Sequence, residues 1–342
     1  MPHRTFFWFI LPSLLAMLLF IAAPVGSVIM QSLHIPHEQV MIEVENCGPF
    51  GCQKETTVDA EATAKLRDAE PMGRFNGLNT YLDRGHLAVA EVGAAWEASE
   101  GLRDFAGRLM NLPFYKAVAF TLTYTFVVTP LVIILGLAIA LGVNALPQMF
   151  RGPTIFVSLL PMIVTPLVGS LILFWMIDAD GVIGATLQLL FDDPDLSLKA
   201  SPTLTWITLM IYGVWHSAPF AFIVYYAGLQ TVPGETLEAA MIDGASRWER
   251  IRYVVIPHLA PLTVFIMLIQ FMDNFRVFEP VVSFAAGANA PTLSYLIYND
   301  LRGDIARFNS AAATSVLTIL GVAVLLTPVL IRTWRDFNRK NV

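Results

Sequence analysis

EAAMIDGASRWERIRYVVIPHLAP, Glu238 to Pro261, is a polar stretch set between two long apolar segments. Thr231-Val232-Pro233-Gly234 stops the segment before it. Glu235 and Glu238 are then expected in the first turn of a new short helix, where negative charge suits the exposed amides. Ala239, Ala240, Ile242 and Ala245 give that helix a small apolar face, and Gly244 leaves a gap where a bulky partner can approach closely. Arg247, Arg250 and Arg252 follow, and Pro257 and Pro261 mark the restart of an apolar helix. A polar connector of this kind belongs between two membrane helices.

Composition agrees. Apolar residues make up 56% of the 342-residue chain and charged residues 14%, against about 25% charged in soluble domains. Mean hydropathy is +0.62. A spanning helix needs about 20 largely apolar residues, and six segments qualify: about 6–30, 117–146, 154–177, 204–229, 259–285 and 311–331. The first resembles a signal peptide at its start, but its apolar run continues to Met30 and reads as an uncleaved helix. The fold class expected is all-α, a polytopic membrane protein with six transmembrane helices. The net charge of −6 describes the loops and points to no partner; no nucleic-acid partner is expected.

Charge sets the orientation. Arg4, Arg151, the arginines at 247, 250 and 252, and a C-terminal cluster of Arg332, Arg335, Arg339 and Lys340 fall on one side of a six-helix topology. The acidic stretches fall on the other. Basic residues mark the cytoplasmic side, so both termini and the loop at 238–261 are expected there. The stretch 31–115 holds about half of the 27 acidic residues and reads as an external subdomain, with a surface helix within 57–69 and helical composition over 87–109. Three regions follow: a first helix over 1–30, the external subdomain over 31–115, and a five-helix core over 116–342 with a connector at 231–258. Cys47 and Cys52 flank Gly48-Pro49-Phe50-Gly51, a turn that could bring the sulfurs together as a disulfide; two free thiols are the alternative.

Glu238-Ala239-Ala240, Asp243-Gly244-Ala245 and Ile256-Pro257 together resemble the EAA loop of ABC importer permeases. Phe75-Asn76-Gly77-Leu78-Asn79-Thr80-Tyr81, Ala227-Gly228-Leu229-Gln230-Thr231-Val232-Pro233 and Pro291-Thr292-Leu293-Ser294-Tyr295-Leu296-Ile297-Tyr298 are similar to further segments of the carbohydrate-type permeases, of which the maltose and glycerol-phosphate types come nearest. One departure stands out: roughly thirty residues separate Tyr81 from Phe114, where the family keeps its external motif close before helix two. The resemblance implies a type I importer permease fold in a bacterial inner membrane. It implies that Glu238, Ala239, Ala240, Asp243, Gly244, Ala245 and Pro257 couple to an ATPase. It implies as partners a second permease, as a heterodimer, two cytoplasmic ATPase subunits, and a periplasmic or lipid-anchored solute-binding protein. The solute it implies is small and polyhydroxylated, a sugar, polyol or glycerol derivative, moved by alternating access.

No G-x-x-x-x-G-K-[ST] loop is present, so ATP hydrolysis is expected on a partner. No metal-ligand spacing, nucleophile elbow or cofactor motif occurs either, which speaks against a membrane-embedded enzyme. Helix five carries Gln270, Asp273, Asn274, Arg276 and Glu279 within its apolar run. Asp273, Arg276 and Glu279, spaced by three, share one face and can form a charge ladder. Two readings stand: a polar lining of the solute path, or a structural ladder locking helix five to a neighbour. A secondary transporter working through this cluster is the alternative function. On helix four, Trp215 and His216 are either path residues stacking on sugar rings or packing and interfacial anchors. On helix three, Thr165, Pro166 and Ser170 can open carbonyls to a pore.

Overall fold

A computed structural model describes residues 3–339 except 39, 49–50, 200 and 304–305; the side chains of 3–5, 45–48, 51–55, 333 and 336–339 also fall outside it. Among the described residues, five helices are long and apolar enough to cross a membrane: Phe6–Ser32, Pro113–Ala145, Pro202–Leu229, Arg247–Phe275 and Phe308–Arg332. A sixth span is the pair Gln148–Ile163 and Pro166–Met176, bent by 92° at the break. In chain order these are spans one to six, with the bent pair as span three.

The chain divides into two compact units. The first comprises Met1–Tyr115 and Leu296–Ile319. Span one is exposed along its length within the chain, its surface apolar from Phe6 to Met30. The stretch from 31 to 115 is less helical than its composition suggests. Met41–Gly48 pairs antiparallel with Gly51–Val58 as a hairpin, and only then does a helix run from Ala60 to Ala69. Ile42 and Val44 alternate with Glu43 and Glu45, the period of a strand. Asp59 caps the following helix by accepting from the Ala62 amide at 2.9 Å. The hairpin sets Cys47 opposite Cys52 in register, and their side chains lie outside the described residues. Helices Val89–Glu97 and Leu102–Leu109 fill the expected helical region.

Hydrogen bonds pin this unit together at Tyr81 and His86. The Tyr81 hydroxyl meets Ser32 Oγ at the end of span one, 2.5 Å away. Tyr115 donates to the Leu87 carbonyl at 2.8 Å. Buried His86 reaches the Ser310 carbonyl with Nε2 at 3.0 Å, and Ser310 Oγ donates to Asp300.

The second unit, Lys116–Tyr295 with Leu320–Val342, holds the main core. Phe120, Tyr124, Val128 and Val132 recur every four residues along span two and form one buried stripe. They share the core with Leu209, Phe222 and Tyr225 of span four and Leu259 and Ile266 of span five. Lipid is as apolar as these side chains, so close packing rather than water exclusion holds such helices together. Gly136 shows how close they come: a Cβ there would lie 2.5 Å from the Ala221 Cβ.

Candidate functional site

Span four ends at Leu229, and Thr231 closes the turn by donating to the Gly228 carbonyl at 2.8 Å. Thr231 Oγ1 also meets His258 Nε2 at 3.1 Å, tying the two ends of the connector. Pro233, with no amide to lose, precedes a helix from Gly234 to Ile242. That helix stops in a doubly bonded turn. The Gly244 amide donates to Met241 and the Ala245 amide to Ala240, at 3.0 and 2.9 Å. This is a Schellman closure, and it needs a residue in left-handed conformation at the position Gly244 fills with φ +80°. Ser246 begins the next helix one residue after Ala245. Its hydroxyl accepts from the Glu249 amide, and the Glu249 carboxylate accepts from the Ser246 amide at 2.7 Å. The connector is thus a helical elbow whose two arms are each capped by hydrogen bonds.

The elbow projects apolar surface. Ile242 is 87% exposed, and Met241, Trp248 and Tyr253 are exposed beside it. A Cβ at Gly244 would meet nothing within 4 Å. Glu238, Ala239 and Asp243 are exposed, Ala240 and Ala245 half-buried. Among the described residues, Glu238, Asp243, Arg247 and Arg252 make no ion pair. An apolar cluster rimmed by unpaired charge is the makings of a docking surface. The arm then enters span five through a π turn, Ile251–Val255, closed by the Ile256 amide on the Ile251 carbonyl. Pro257 follows; it has no amide for the Tyr253 carbonyl, so the ladder already has to shift there.

The charged residues of helix five are placed differently from the expected continuous ladder. The helix ends at Phe275, and Arg276 is its cap. Glu279 opens a separate short helix, Glu279–Ser283. Pro280 explains the stop, since its ring would collide with the carbonyl of Arg276 four residues back. The freed carbonyls find hydroxyls instead: Ser294 donates to Arg276 at 3.1 Å and Thr292 to Val277 at 2.9 Å. Arg276 pairs with Asp273 at 2.8 Å, both exposed, and Glu279 has no ion-pair partner among the described residues. Asn274 is only 5% exposed and donates to Thr129 Oγ1 at 3.0 Å. It ties span five to span two rather than facing open space.

Trp215 and His216 lie beside the bend of span three. Val164 and Thr165 are extended there, which frees carbonyls within an apolar run. His216 Nε2 meets the Val164 carbonyl at 3.2 Å, and Tyr212 donates to that of Pro166 at 2.9 Å. Ser170 also donates to Pro166, and Ser283, from the short helix after span five, to Leu167 at 3.2 Å. Trp215 is 47% exposed and packs beside Tyr212. Glu279 opens the same short helix whose Ser283 reaches the Leu167 carbonyl, which seats that helix on the second half of span three. The structure therefore divides the helix-five set: Glu279 opens the short helix seated on span three, Asp273 and Arg276 pair with each other, and Asn274 bonds to Thr129 of span two. Thr129 went unnoticed in the sequence, although Thr121, Thr125 and Thr129 recur every four residues in span two.

Comparisons with known proteins agree with this architecture. The family described as binding-protein-dependent transport system inner membrane component matches residues 105–334. The trehalose/maltose transport system permease protein MalF of Thermococcus litoralis is 28% identical over 224 residues, which cover 64% of this chain and 75% of that protein. The sn-glycerol-3-phosphate transport system permease protein UgpA of Agrobacterium fabrum is 30% identical over 233 residues, covering 66% and 77%. A chain of a bacterial alginate ABC transporter, crystallised with a periplasmic protein holding an alginate pentasaccharide, shares the fold at TM-score 0.58 and 20% identity, over 79% of this chain and 93% of that one. Nothing among them supports a secondary transporter. With an apolar core of spanning helices, an elbow carrying the EAA pattern and a match across 105–334, this chain belongs to the binding-protein-dependent transport system inner membrane component family and is a permease subunit of an ABC importer.

Proposed function

We propose that the chain carries a small polyhydroxylated solute across a bacterial inner membrane as one permease of a heterodimer. A solute-binding protein delivers the solute outside, and two ATPase subunits drive transport from the cytoplasm. The observation that carries this reading is the elbow at 234–250. Its exposed apolar surface, open Gly244 and unpaired charges suit insertion into a cleft on a partner. Glu238, Ala239, Ala240, Asp243, Gly244 and Ala245 form that contact, and Pro257 stands in the first turn of the helix that carries span five on from the π turn. The positive-inside bias supports a cytoplasmic elbow with both termini on the same side. The solute class rests on the relatives named above, which move sugars and a glycerol phosphate. The region from 31 to 115 is read as the periplasmic subdomain and that from 116 to 342 as the permease core.

Co-purification tests the reading. Expressed with a candidate partner permease and ATPase subunit, the wild-type chain is expected to retain the ATPase in detergent, and a chain with Met241, Ile242 and Trp248 changed to Ser is expected to lose it while keeping its partner permease. Retention of the ATPase by that variant would reject the elbow as the coupling element.

A further inference from the structure

Helix three bends by 92° inside its apolar run. Extended backbone within a membrane span is tolerated only where protein covers it or where it lines a water-filled cavity. Here His216 meets the carbonyl of extended Val164, Tyr212 and Ser283 donate to the Pro166 and Leu167 carbonyls just after the break, and Thr165 at the bend remains exposed. Discontinuous spans of this kind mark where transported solutes are met.

The charge at this place can be added up. Arg276 is committed to Asp273 at 2.8 Å, so that pair contributes no net charge. Glu279 is exposed and has no ion-pair partner among the described residues. The second half of span three starts at Pro166 and brings the positive end of a helix dipole, roughly half an elementary charge. One carboxylate outweighs it. The basic side chain placed at the bend is His216, and it is engaged with the Val164 carbonyl at 3.2 Å.

We infer that the bend of span three and the Glu279 carboxylate act as a charge filter on the solute path, admitting neutral or cationic polyhydroxylated solutes and opposing those that carry phosphate or carboxylate. This rests on the permease reading above and narrows its solute class. Glu279 is then a specificity-determining residue, and Trp215 supplies an exposed aromatic face for the apolar side of a sugar ring.

The filter can be read without knowing the solute. In a background with Cys47 and Cys52 changed to Ser, Thr165→Cys places a thiol at the bend of the assembled complex. Its labelling rate is measured with two methanethiosulfonates, one bearing a trimethylammonium and one a sulfonate. After correction for their rates with a free thiol, the cationic reagent is expected to react about fivefold faster. Glu279→Gln is expected to remove that preference, and Glu279→Asp to retain it. Equal corrected rates in the presence of Glu279, or a preference that survives Glu279→Gln, would overturn the inference. So would failure of both reagents to reach the thiol. None of those results touches the co-purification of the ATPase, so the filter and the permease reading fail separately.

Discussion

The side-chain amide of Asn274 donates to the hydroxyl of Thr129 across 3.0 Å, joining spans five and two with both groups buried. A hydrogen bond between membrane helices typically contributes about 0.6 kcal/mol and up to about 1.7. Gln270, also buried, accepts a second bond from the same amide at 3.4 Å. Asn274→Ala and Thr129→Val are each expected to lower unfolding stability in detergent, with a coupling of about 0.5–1.5 kcal/mol in the double-mutant cycle. Additive effects, or an Asn274→Ala chain of full stability with altered solute affinity, would return Asn274 to the solute path.

Gly244 makes a different demand. A side chain there meets open space, so fit is no obstacle, but the left-handed backbone costs a non-glycine residue about 1–2 kcal/mol. Gly244→Ala is expected to accumulate in the membrane with a slightly weakened elbow. Gly244→Asp adds bulk and charge to the docking surface, and should reduce solute-stimulated ATP hydrolysis of the assembled complex by at least about tenfold. Normal stimulation in the Asp variant would mean that the contact lies elsewhere.

Asp178 and Lys199 form an ion pair at 2.6 Å in the segment after span three, with Lys199 lying over the Phe174 ring. The hydrogen bond from Lys199, and then its charge, holds the Asp178 carboxyl below its usual range. A carboxyl lowered in the folded state contributes stability above its unfolded value, about 3.9, and loses it as pH falls through the folded value. Lys199→Met keeps the packing and removes the partner. The wild type is therefore expected to melt higher than this variant at pH 7, with the gap closing below about pH 4. A gap unchanged at pH 3 would assign the stabilisation to packing.

The register of the hairpin at 41–58, with Cys47 opposite Cys52, bears on the proposed disulfide. In membranes from an oxidising compartment, denatured and unreduced, neither thiol is expected to take up maleimide. The loop closed is small, so replacing both with Ser should leave transport near the wild-type rate. Stoichiometric labelling of both would show free thiols.

What could be read from the sequence was local. Gly244 and Ser246 announce their turn because the cap residues adjoin the structure they end. Pro166 likewise marks the bend of span three. Helix five was misread past Phe275 because the residue that stops it, Pro280, acts on a carbonyl four positions back, and the hydroxyls that accommodate the break, Thr292 and Ser294, come later still. The hairpin at 41–58 was hidden by charge: Glu43, Glu45 and Glu55 make a strand look like a solvated loop. The division of Asp273, Asn274, Arg276 and Glu279 among three roles depends on Thr129 and on the bend of span three, both distant in the chain.

The caps on either side of Gly244 also have a mechanical consequence. With the first arm closed by two amide bonds and the second opened by a reciprocal pair, the turn between them is stiff against flexing. Force applied at Ile242 would therefore pass through the elbow without being absorbed by it. The compliant point comes next, in the π turn before Pro257, where the regular ladder is already interrupted. A stroke delivered to the loop would then emerge as rotation of span five about its own base, so the angle through which the permease opens depends on the give of those five residues.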